Sequence, residues 1–172
     1  MARAKKSSSG PARKSSGPSR KKSPDAISLL KADHRQVEGW FAQFSQSKST
    51  QKKRHLARQI CDALKVHTTI EEELFYPAFI DATGDKATHH EAVVEHAGAK
   101  KLIEEIQASS PDDDYFAAKV TVLSEMIKHH VREEEQPGGM FSEAKKSDID
   151  LEALGAQLFA RKQQLRATAE AA

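Results

Sequence analysis

A short pattern occurs twice along this chain at a near-constant offset. His34 and His96 lie 62 residues apart; His67 and His130 lie 63 apart, as do Glu71 and Glu134. Each half reads acid-His first (Asp33-His34, Glu95-His96) and His-x-x-x-Glu second, followed by an apolar pair, Leu74-Phe75 or Met140-Phe141. Repetition of this kind argues for a pseudo-twofold pair of helical hairpins.

The apolar periodicity agrees. From a start at Pro24-Asp25, residues Ile27, Leu30, His34, Val37, Phe41 and Phe44 fall on one face at three- and four-residue steps. After the polar break SQSKST, a second stripe carries Leu56, Ile60, Leu64, His67, Glu71, Leu74 and Ala78, and Pro77 is expected to kink or end that helix. Gly84-Asp85 marks a loop. Val93, His96, Ile103 and Ile106 are in phase on a third helix. Ser109-Ser110-Pro111-Asp112 is expected to stop it and start the fourth, with a serine cap and Pro111 at the first helical position. The fourth stripe is Phe116, Val120, Leu123, Ile127, His130 and Glu134, ending at Pro137-Gly138-Gly139. A short last helix from about Asp148 carries Ile149, Leu151, Leu154, Leu158 and Leu165, and no credible strand appears. The predicted fold is all-α: an up-down-up-down four-helix bundle over 25–172, with a short fifth C-terminal helix, preceded by a tail over 1–24.

Four residues along a helix advance about 400°, so His67 and Glu71 share a face, as do His130 and Glu134. His34 and His96 come singly from the other two helices. A bundle therefore gathers four imidazoles and two carboxylates in its interior. One buried histidine is ordinarily a hydrogen-bonded core residue, and one glutamate can be a misjudged phase. Six such positions in register on four helices point instead to metal ligation. This donor mix suits iron, and also manganese or zinc. Pseudo-twofold symmetry suggests two metals, with glutamates able to bridge.

His55, His89, His90 and His129 lack the repeat partner and read as surface residues or as supports behind the ligands. His129 adjoins His130; the repeat register and the apolar stripe favour His130 as the fourth-helix ligand. Glu72, Glu135, Asp33 and Glu95 are either solvated flank or acceptors for a ligand histidine N–H. Cys61 reads as a packing residue, because no second cysteine exists to resolve it. No histidine has a glutamate three residues before it, which sets aside the Glu-x-x-His arrangement of ferritin-like oxidases.

The net charge of +2 conceals an asymmetry. Residues 1–24 carry eight Lys/Arg and no acid, while the remainder carries 19 Lys/Arg against 25 Asp/Glu, a net −6. The first segment is Ser, Gly, Pro and Lys without apolar periodicity and reads as disordered. It is either a solubilising tail or an arm for DNA or another anionic partner; an organellar presequence is a weaker third option. A single cysteine, the absence of an apolar run near the ~18 residues of a membrane span, and an N-terminus without a signal-peptide core lead to a cytoplasmic expectation with no membrane partner. The oligomeric state is not legible.

The motifs Asp33-His34, His67-x-x-x-Glu71 with its Glu-Glu-Leu-Phe-Tyr-Pro continuation, Glu95-His96 and His130-x-x-x-Glu134 resemble the hemerythrin-like HHE cation-binding family. Leu154-Gly155-Ala-Gln-Leu-x-x-Arg-Lys is similar to that family's last helix. The resemblance covers about residues 25–165. It implies a non-haem di-iron centre in a four-helix bundle, with His34, His67, Glu71, His96, His130 and Glu134 as ligands. Oxygen-carrying members add a second histidine one turn after the third-helix histidine, where this chain has Lys100 beside Ala99, and they place an aspartate where it has Glu134. The likeness is therefore to the four-His, two-Glu branch. Related branches sense iron or oxygen, bind nitric oxide, repair iron–sulfur clusters or decompose peroxide; the cluster-repair proteins add an N-terminal cysteine-bearing domain that this sequence lacks. A small diatomic or peroxide ligand is implied, and the alternative is a non-catalytic iron-binding or sensing module. One internal departure bears on access. Glu71 is followed by Leu74-Phe75 after two residues, but Glu134 by Met140-Phe141 after five. The fourth helix should end within a turn of Glu134 and leave a small-molecule path there.

Overall fold

The computed structural model describes residues 24–170. The basic segment expected to be disordered lies, apart from Pro24, outside them. Seven α-helices and one π-helical turn make up the described chain: α1 Ala26–Gln46, α2 Thr50–Ile70, the π-turn Glu71–Phe75, α3 Tyr76–Thr83, α4 Lys86–Ala108, α5 Phe116–Glu135, α6 Met140–Lys146 and α7 Leu151–Glu170. Side-chain caps begin four of them, and on α7 it is Asp150 that accepts from the Ala153 amide at 3.0 Å. Asp25 accepts from the Ser28 amide, Ser49 from Lys52 and Asp85 from Thr88, each satisfying an otherwise orphaned N–H.

α1 packs on α2 and α5, and α4 packs on the same two helices, closing the predicted ring of four. α7 lies against α1 and α2. The expected short fifth helix is corrected here: α7 has 20 residues, as many as α5. α6, unanticipated, precedes it.

The α2 stripe is also corrected. Pro77 does not end the helix; the chain continues helically to Thr83. A proline cannot donate to the preceding turn, and its ring crowds the carbonyl four residues back. The π-turn removes the conflict by widening that turn, with the Tyr76 amide donating to the Glu71 carbonyl. One extra residue per turn shifts the buried stripe forward by one. Phe75, Tyr76 and Phe79 are therefore fully buried, while Leu74 and Ala78 are only half-buried.

α5 begins at Phe116 rather than at Pro111. Ser110 does not cap a helix; its amide donates to the Asp113 carboxylate at 2.8 Å, and Asp112–Tyr115 form turns. On α4 the buried line is Ala92, His96, Ala99, Ile103 and Ile106, and Val93 is exposed.

Two apolar clusters form the core. One contains Val37, Phe41, Leu64, Ile103, Leu123 and Ile127; the other contains Ile27, Leu30, Ile70, Phe75, Phe79, Phe141 and Leu158. Full burial of each such side chain contributes about 1.5–3 kcal/mol. His34 lies between Leu30 and Val37 on α1, and His67 between Leu64 and Ile70 on α2. The polar belt thus sits at the junction of the clusters. Gly155 explains how α7 closes one end: a Cβ there would stand 2.4 Å from the Pro24 carbonyl oxygen and 2.7 Å from the Ala26 amide nitrogen. Only glycine admits that approach to the start of α1.

Candidate metal centre

All six residues singled out by the repeat converge in that belt, and each is at most 4% exposed. They come from four helices and the π-turn: His34 from α1, His67 from α2, Glu71 from the π-turn, His96 from α4, His130 and Glu134 from α5. His34 Nε2 is 3.1 Å from His67 Nε2, and His96 Nε2 is 3.2 Å from His130 Nε2. The glutamates face both pairs. Glu71 Oε2 is 3.1 Å from His67 Nε2 and 3.4 Å from His96 Nε2. Glu134 presents Oε2 to His34 Nε2 at 3.4 Å and Oε1 to His130 Nε2 at 3.6 Å. Two sets of residues that could hold a metal ion result, His34–His67–Glu71 and Glu71–His96–His130, each with donors within 4.8 Å of one another. Glu71 belongs to both.

The charge balance of this belt fits a cation. Neither oxygen of Glu71, nor Oε2 of Glu134, takes part in a hydrogen bond, although both side chains are buried. Such groups are costly without compensation. Burial opposes charge on Glu71, but the neighbouring His67 holds its carboxyl well below the usual range. Burial, and then the Glu71 charge, push Glu134 up to about 8. Burial works against a charged His67, yet Glu71 and the nearby Asp33 push it up to about 10. Burial and the His67 charge push His34 down to about 4. Protein groups alone thus stabilise one ionised glutamate and leave the other protonated. Positive charge from elsewhere is needed to ionise both, and the nitrogen and oxygen donors are those a transition metal takes.

Four outer carboxylates flank the imidazoles. Glu135 lies 2.8 Å from His34 Nδ1, Glu72 2.9 Å from His96 Nδ1, Glu95 2.8 Å from His130 Nδ1, and Asp33 3.6 Å from His67 Nδ1. The three glutamates each fix a tautomer that turns Nε2 toward the centre; Asp33 Oδ2 and His67 Nδ1 make no hydrogen bond, so Asp33 acts on His67 through its charge. The pattern follows the repeat: the acid before a singleton histidine serves its hairpin partner, and the acid after Glu71 or Glu134 serves the singleton histidine of the other hairpin. Cations and a histidine hold these acids in turn. Lys100 Nζ donates to both Glu72 oxygens at 2.7 and 2.6 Å, Lys31 pairs with Glu135 at 3.1 Å, and exposed His129 stands 3.2 Å from Glu95. The structure thus puts His130 in the centre and His129 outside it. His55 and His90 stay away from it.

Two contributors escaped sequence reasoning. Lys162 of α7, only 8% exposed, reaches Asp33. Tyr76 places its hydroxyl 3.2 Å from His96 Nε2 and 3.4 Å from Glu134 Oε1. Burial and the surrounding glutamates hold its phenol protonated, well above its ordinary range. On a regular helix Tyr76 would lie about 140° from Glu71; the π-turn brings it round. π-turns are frequent at functional sites, and Pro77 was its sequence signal.

Lys162→Met should destabilise the metal-free protein by about 1.5–3 kcal/mol, because Asp33 would lose its hydrogen-bonded ammonium and keep only the more distant His67 beside it. Urea unfolding checks this. Adding Asp33→Asn should restore most of the loss; a double variant no more stable than the single one would contradict the pairing.

The chain's residues 25–137 match the family model for the hemerythrin HHE cation-binding domain. It is 34% identical over 107 residues to a protein of Nostoc sp. (strain PCC 7120) described as a DNA nickase; that match spans 62% of this chain and 30% of the Nostoc protein. Its fold superposes on the crystal structure of a hemerythrin HHE cation-binding domain-containing protein from Mycobacterium kansasii, with a TM-score of 0.69 and 25% identity over 85% of this chain and 90% of that one. Among the described residues no helix is long and apolar enough to cross a membrane. With the repeat, the helical ring and the family match in agreement, the chain belongs to the hemerythrin HHE cation-binding family.

Proposed function

We propose that His34, His67, Glu71, His96, His130 and Glu134 hold two non-haem irons, and that the pair binds or reacts with a small ligand such as oxygen, nitric oxide or peroxide. The observation that carries this reading is Glu71, whose one oxygen faces a histidine of each ligand set. A bound iron pair would supply electrons to such a ligand or accept them from it. The chain supplies the rest. Glu135, Glu72 and Glu95 keep the imidazoles of His34, His96 and His130 aimed, and Tyr76 holds a proton at its hydroxyl beside Glu134. A cavity of ≈10 Å³ lies against all four histidines, walled otherwise by Val37, Leu64, Ile127 and Val131 among others. It has room for roughly one water-sized group, which limits a ligand held there to a few atoms.

The experiment is peroxide turnover by iron-loaded protein, followed as oxygen evolution. Turnover is expected from the loaded protein and not from the metal-free chain. A gain in stability on loading, with no turnover of any of the three ligands, would instead favour an iron-binding or sensing module.

That second reading gains from the likeness to a protein described as a DNA nickase and from the eight Lys/Arg of residues 1–24. It expects salt-sensitive, sequence-independent DNA binding. Deleting residues 1–24 should abolish binding and leave metal content intact; binding that survives the deletion would reject the tail's role.

A further inference from the structure

The break after α5 is lined by acids. Helix α5 stops at Glu135, one residue past Glu134, and the Gln136–Gly139 turn follows. Gly138 takes a φ of 81°, and a Cβ on Gly139 would stand 2.2 Å from the Glu133 carbonyl oxygen, so the turn folds tightly against the helix end. A pocket of ≈110 Å³ lies between this turn and α4 and reaches His130. Asp85, Glu91, Glu95, Glu133, Glu134 and Glu143 line it, and among the described residues no lysine or arginine does. Glu134 is 2% exposed, and its Oε2 accepts no hydrogen bond. At the outer side, Glu91, Glu95 and His129 place donor atoms within 4.8 Å of one another. Glu95 looks both ways: Oε1 is 3.2 Å from His129 Nε2, and Oε2 is 2.8 Å from His130 Nδ1.

We propose that this acidic pocket is the route by which a divalent cation enters the buried centre, with Glu91, Glu95 and His129 as the group that captures it. The proposal rests on the metal-binding reading above. A hydrated cation loses water at great cost, and crossing the apolar cluster on the other side of the histidines offers it no replacement oxygens. The pocket offers carboxylate oxygens in sequence from the surface to Glu134. A cleft of one charge sign also concentrates its counter-ion and raises the association rate. The pocket therefore admits cations and repels small anions, while the apolar cavity on the core side suits an uncharged ligand.

The test is stopped-flow loading of metal-free full-length protein with cobalt(II), followed by its visible absorption, together with the final metal content. Glu91→Gln/Glu143→Gln removes two lining carboxylates, one from the capture group and one paired with Lys146 at 2.8 Å, without touching a residue proposed to hold the buried ions. Its loading rate should fall about tenfold and lose much of its salt dependence, with unchanged final content. Glu104→Gln/Glu125→Gln, exposed acids elsewhere on α4 and α5, should load like the parent, and His129→Ala should load slowly to full content. Equal rates in the pocket variant and the parent, both filling completely, would overturn the entry route and leave the centre standing. A parent that takes up no cobalt at all would overturn both.

Discussion

Replacing Glu71 with alanine is expected to empty both halves of the centre at once. Most ligand substitutions would weaken one half, because each histidine stands in one ligand set. Glu71 stands in both. Its carboxylate is fully buried and makes no hydrogen bond, and Glu134, the other carboxylate facing both pairs, already has its own place at His34 and His130. Removing residues that merely support a ligand costs roughly 10–100-fold in metal affinity. Loss of a charged donor common to two ions should exceed that range. Metal per chain, measured after dialysis against a weak chelator, should fall close to zero in Glu71→Ala. Glu71→Gln tests the charge alone and should also lose metal. Parent-level occupancy in both variants would contradict the shared-ligand reading.

The second large effect is on stability. Removing metal leaves six polar side chains between two apolar clusters with too little positive charge to ionise both glutamates, as the upward shift of Glu134 shows. A ligand present at a thousand times its dissociation constant stabilises the folded state by about 4.1 kcal/mol. For a domain of this size each kcal/mol moves the midpoint by about 2–4 °C, so chelation should lower Tm by roughly 10 °C. The pH dependence has a definite sign. Ligand histidines must be neutral, and with His67 pushed up to about 10 and Glu134 up to about 8 in the metal-free chain, protons compete with metal increasingly as pH falls below about 10. Metal should therefore leave as pH falls from neutrality toward 4, and the Tm of loaded protein should drop to that of the metal-free form over the same interval. Identical midpoints with and without metal at pH 7, or full metal content at about pH 4, would contradict this.

The convergence of the six residues in one buried belt was more legible in the sequence than what surrounds it. Each of the six inward residues obeys the 3.6-residue period of its own helix, and the offset of 62 or 63 residues tied the two halves together. The acids beside them were visible, but not their roles, because which histidine an acid serves depends on how helices face one another across the bundle. Tyr76 and the move from Leu74 and Ala78 to Phe75 and Phe79 were hidden by the π-turn, which breaks the period used to read the helix. Ser110-Pro111 has the composition of a helix start, yet the Asp113 side chain captures the Ser110 amide and makes a turn instead. α6 spans seven residues, too few for a periodic signal. Lys162 reads as solvent-facing on any hydropathy scale; only the packing of α7 over α1 buries it against Asp33.

Quantifying iron in protein purified without chelator, alongside its optical spectrum, tests the ligand assignment most directly. Two irons per chain and near-ultraviolet charge-transfer absorption are expected, both lost together on chelation. Protein that retains no iron after reconstitution, or binds a single ion unaffected by Glu71→Ala, would contradict that assignment.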